Sequence, residues 1–130
     1  MPIQNVETLP ELIGRAASEF GKKPALQHAQ QSELGLSYAQ LHENTQQGAS
    51  VLLGRNLEAG DRVLLAMESR PEWAAAFFSI LEAGLVVVPI PVDTPPETAA
   101  AIAAHSGAKA SIVSERTRTL AEALEGIVTI

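Results

Sequence analysis

The sequence predicts a three-layer α/β domain, a mainly parallel sheet with helices on both faces. Three observations carry this. Short runs rich in branched aliphatics, Val63 to Met67, Leu85 to Ile90, Ala110 to Val113 and Ile127 to Ile130, lack apolar/polar alternation, as strands covered on both faces do. Amphipathic segments of helical period accompany them, and from Val63 onward the two kinds alternate. Four of those segments open on a capping box: Thr8 with Glu11, Ser37 with Gln40, Ser69 with Glu72, and Thr94 with Glu97. In such a box the hydroxyl accepts from the N3 backbone N–H, while the N3 side chain reaches back to the cap's own N–H.

The elements follow in order. After Thr8, the residues Leu9, Leu12, Ile13, Ala16, Ala17 and Phe20 form one stripe of a first helix that stops at Gly21. A weaker strand falls at Ala25 to Ala29. Ser37 opens a second helix, with Leu36 and Leu41 as a hydrophobic staple and Leu41, Thr45, Ala49, Leu52 and Leu53 continuing the buried face to Gly54. Ser69 opens a third, greasy at Trp73, Phe77, Ile80 and Leu81, with Gly84 at C′. In the strand Leu85 to Ile90, Val86, Val87 and Val88 are expected to be largely inaccessible to solvent. Pro89 and Pro91, two apart, turn their missing donors the same way, which predicts an edge or a bend. Thr94 opens a fourth helix, with Pro95 and Pro96 at N1 and N2, where a missing N–H loses nothing, and Gly107 ends it.

Composition bounds the function. A chain of 130 residues is one domain's worth, 1–130, with a single core. A net charge of −6, with nine scattered Lys and Arg, argues against nucleic-acid binding, which needs clustered cations. No cysteine is present, so disulfides, thiolate metal sites and thiol nucleophiles are excluded. The start MPIQNVETLPE has no signal-peptide pattern. The longest apolar run, Leu85 to Val92, is far short of the ~20 residues that span a bilayer. The expectation is a cytoplasmic protein without a transmembrane segment.

A search for chemistry returns little. There is no G-x-G-x-x-G and no G-x-x-x-x-G-K-[ST]; Gly107 in "HSGAKAS" precedes a strand and reads as a helix stop. His28, His42 and His105 lie far apart, without metal-ligand spacing. Asp61, in "EAGDR", stands before its strand and reads as a turn residue. Asp93 and the pair Ser69 and Arg70 fall at the C-terminal ends of strands, where α/β sheets take ligands, but no partner acid, base or nucleophile stands beside them. They read as a turn residue, a cap and a solvated cation. No catalytic, cofactor-binding or metal-ligating residue is assigned.

Four ordered motifs carry a resemblance. "LSYAQL" at 36–41, "AGDRVLLAM" at 59–67, "SRPEWAAAFFSILEAGLVVVPIPVD" at 69–93 and "HSGAKASIVSE" at 105–115 resemble the N-terminal part of the AMP-forming adenylating enzymes, most of all long-chain fatty acyl-CoA ligases. The superfamily's usual Asp-Pro after the proline strand is Val92-Asp93-Thr94 here. The resemblance implies the N-terminal subdomain of the acyl-CoA synthetase-like fold and structural roles for these motifs. It also implies that the phosphate loop, adenine motif, ribose-binding aspartate and catalytic lysine lie downstream of Ile130. ATP, Mg and CoA are then cofactors of a parent enzyme and none belongs to this fragment. The partners implied are the remainder of that ligase and a fatty acid or other carboxylate. The alternative is a free-standing α/β interaction or regulatory module without ligase activity.

Overall fold

The computed structural model describes residues 5–124 and 128–129. Helix α1 (Leu9–Phe20) leads into β1 (Pro24–Leu26), a 3-10 turn (Ser32–Leu34), β2 (Leu36–Ser37) and α2 (Tyr38–Leu53). There follow β3 (Arg62–Ala66), α3 (Pro71–Glu82), β4 (Val86–Pro89), α4 (Pro96–Ser106), β5 (Ala110–Val113), α5 (Arg118–Glu122) and β6 (Val128–Thr129). The first two strands form a small antiparallel pair; the other four form a parallel sheet in the order β4-β3-β5-β6.

Residue parity sorts the core into two clusters. Val63 and Leu65 of β3, Ala110 of β5, and Leu85 just before β4 pack with Ala49 and Leu52 of α2 and Ile80 of α3. On the opposite face Leu64 and Ala66 pack with Ala99 and Ala103 of α4 and Leu120 of α5. Helices thus cover both faces, as the lack of alternation in the strands requires. The sides are also those that uniform right-handed crossovers demand. The step from β3 to β4 places α3 on one face, and the steps in the other direction place α4 and α5 on the other.

Two of the four capping signals held, at Ser37 and Thr8. Ser37 Oγ accepts from Gln40 N at 3.1 Å while Gln40 Oε1 accepts from Ser37 N at 2.9 Å, a complete box. Thr8 caps α1 through Glu11 N, but Glu11 reaches back to Glu7 N instead of Thr8 N. The two other caps require correction. The N-cap of α3 is Arg70, not Ser69, and that of α4 is Pro95, not Thr94; neither makes a side-chain cap bond. Each precedes a proline, and the clash with the proline ring pushes such a residue into extended backbone: Arg70 has ψ 170° and Pro95 ψ 145°. Leu9 also precedes a proline yet enters α1, where the Thr8 hydroxyl holds the first turn. Freed from capping, the Thr94 hydroxyl donates to the Pro91 carbonyl at 2.6 Å. Ser37→Ala is therefore expected to cost about 1 kcal/mol of stability. Ser69→Ala should stay within about 0.5 kcal/mol, read from denaturant midpoints of the two variants side by side.

A second correction concerns β4. Val86 is 43% exposed, and Val87 and Val88 are half-buried, because among the described residues β4 lies at the sheet edge with a neighbour on one side only. The proline reasoning itself is borne out. Val86 N donates to Asp61 O and Ile90 N to Leu65 O, so even-numbered amides of this strand point inward and Pro89 and Pro91 face outward. The weaker strand is shorter than expected, Pro24–Leu26, and β2, the 3-10 turn and α5 had no counterpart in the sequence reading. Of the run Ile127 to Ile130, the two ends lie outside the described residues.

Candidate functional site

The parallel strands run outward from β3 in both directions, and the chain leaves β3 and β5 toward opposite faces, into α3 and α5. The gap beyond their C-terminal ends is a topological switch point, where open α/β sheets take ligands. A cleft of about 590 Å³ opens at this end of the sheet. Met67, Glu68 and Ser69, leaving β3, form one wall, with Trp73 from the first turn of α3. Pro89 to Asp93 form another, and Arg116 enters from the loop after β5. Trp73 is held by stacking on Phe77, with ring centroids 5.2 Å apart.

Thr117 sets the position of the Arg116 loop. Its side chain is 1% exposed, and its hydroxyl donates to the Ala66 carbonyl of β3 while accepting from Ser114 N at 2.9 Å. A single buried hydroxyl therefore fastens the end of β5 to the end of β3. The same hydroxyl meets Ser114 Oγ at 3.1 Å, and Ser114 faces the Glu68 carboxylate.

The Ser114 hydroxyl, followed by the backbone at Glu68, holds the Glu68 carboxyl below the usual glutamate range; Arg70 and Arg116 act in the same sense, and burial opposes them. Ser114 has one hydroxyl hydrogen and two acceptors for it, the carboxylate and Thr117 Oγ1, and Glu68 Oε2 is shielded from solvent without a hydrogen bond of proper geometry. The downward direction holds with the hydrogen on either acceptor, because the backbone and both guanidinium groups favour the anion. A carboxyl that titrates lower in the folded chain adds stability that is full above its unfolded value, about pH 4.3, and is lost as pH falls through the folded value. Glu68→Gln should therefore flatten the decline of the thermal midpoint between roughly pH 5 and 3. An unchanged slope would count against the assignment.

Of the residues weighed from sequence, Ser69 and Asp93 line this cleft, and Arg70, outside its lining, acts on Glu68 by its charge and makes an exposed pair with Glu72 at 3.5 Å. The others lie elsewhere. Asp61 Oδ2 accepts from Glu58 N at 2.8 Å in a turn, as expected. His28 Nδ1 accepts from Gln30 N and Gln31 N, His42 is half-buried between α1 and α2, and His105 is exposed on the last turn of α4. Gly107 ends α4 in the left-handed region, at φ 68°. Among the described residues no three His, Cys, Asp or Glu converge as a metal site. Sequence reasoning missed Glu68 and Arg116. Their signal was positional: each follows the C-terminal end of a strand flanking the switch point. The arrangement offers a held anion, guanidinium groups and an aromatic wall, which can position a ligand, but no nucleophile paired with a base.

Fold and cleft together define the class: a doubly wound, three-layer α/β unit with its crevice at the strand C-termini. The chain belongs to the AMP-binding enzyme family, whose model matches residues 13–129. It is 32% identical over 121 residues to a long-chain-fatty-acid–CoA ligase of Salmonella typhimurium, covering 92% of this chain and 21% of that protein. It is 31% identical over 96 residues to the 3-hydroxybenzoate–CoA/4-hydroxybenzoate–CoA ligase of Thauera aromatica, covering 73% and 18%. The chain thus spans about a fifth of the length of these relatives. The fold matches the N-terminal domain of FACL13 from Mycobacterium tuberculosis with a TM-score of 0.85 at 19% identity, covering 96% of this chain and 34% of that one. The N-terminal subdomain of Klebsiella oxytoca NpsA gives 0.82 at 20% identity, covering 98% and 31%.

Proposed function

We propose that residues 1–130 form a structural unit of an AMP-forming acid–thiol ligase and serve there as scaffold. The whole enzyme would join a fatty acid to the α-phosphate of ATP, releasing pyrophosphate, and then pass the acyl group to CoA, releasing AMP. ATP, Mg and CoA would be held by segments outside this chain, and the work would be done in the cytoplasm. The observation that favours a fatty acid over a hydroxybenzoate is the Salmonella relative, whose similarity extends over 92% of the chain, against 73% for the hydroxybenzoate ligase. Stabilising a transferring nucleotidyl group takes preorganised donors and cations around the phosphates, and this chain has no glycine-rich loop with a lysine to supply them.

The test is a pyrophosphate-release assay on the whole polypeptide with ATP, Mg and a panel of fatty acids, hydroxybenzoates and amino acids. Release with long-chain acids and not with the others is expected. Turnover only with an aromatic or amino acid would overturn the substrate class, and turnover by the 130-residue chain alone would overturn the scaffold reading.

A further inference from the structure

We draw no further inference here: the strongest candidate, the cleft beyond the C-terminal ends of β3 and β5 walled by Glu68, Trp73, Asp93 and Arg116, belongs to the site already described.

Discussion

Replacing Gly48 with alanine is expected to destabilise the chain by about 3 kcal/mol, the upper range for forcing atoms into a packed core. At this position α2 crosses α3 so closely that a Cβ would stand 2.1 Å from Ser79 Oγ and 2.7 Å from Ser79 Cβ. Rotating the serine cannot relieve this. Its hydroxyl would leave the 2.6 Å bond it donates to Ala75 O, and its Cβ would remain in place. Ser79 is 4% exposed, so neither helix has slack to give. The partner change Ser79→Gly removes the obstacle, and the double variant Gly48→Ala with Ser79→Gly should recover much of the loss relative to the sum of the single changes. Equilibrium denaturation of the four chains measures this coupling. Additive losses would show that the strain lies elsewhere.

Thr117→Val should cost about as much by a different route. Valine keeps the shape but leaves the Ala66 carbonyl and the Ser114 amide buried without partners, at roughly 1–3 kcal/mol each. Thr117→Ser keeps the hydroxyl and loses one methyl group, about 0.8 kcal/mol. A wide gap between Val and Ser variants in the denaturation midpoint identifies the hydroxyl, and similar losses would identify packing. The Val variant should also release the Arg116 loop, seen as faster amide exchange at residues 114–117.

The fold was legible because its signals are local. Each branched-aliphatic run that falls within the described residues is a strand, displaced by at most a residue or two, and Ser37 and Thr8 cap the helices they were expected to cap. What misled were two signals competing over the same turn. At Ser69 and Thr94 the hydroxyl pattern was right in form, but the residue before the proline stayed extended and the helix began at the proline. At Thr8 the bond to Glu11 N kept Leu9, also before a proline, in the helix. Val86 failed for another reason. A run of three valines states that a strand is apolar, and whether that strand is central or peripheral depends on the order of strands in space. α5 was missed because a five-residue helix has too few positions for a stripe to show. The cleft was half visible: Ser69 and Asp93 were singled out by position, whereas the approach of Arg116 to Glu68 spans 48 residues and depends on the pairing of β3 with β5.

Pro89 and Pro91 bear on the behaviour of this sheet at high concentration. Of the amides on the outer side of this stretch, two are absent by chemistry and that of Leu85 is taken by Ile80 O, leaving Val87 as the one outward donor of β4. A strand from another molecule arriving here would find carbonyl acceptors but one donor, too few for a regular ladder. In polymer language β4 is the slow end of the chain: among the described strands, lengthening is favoured from the β6 end, one strand at a time and in one direction.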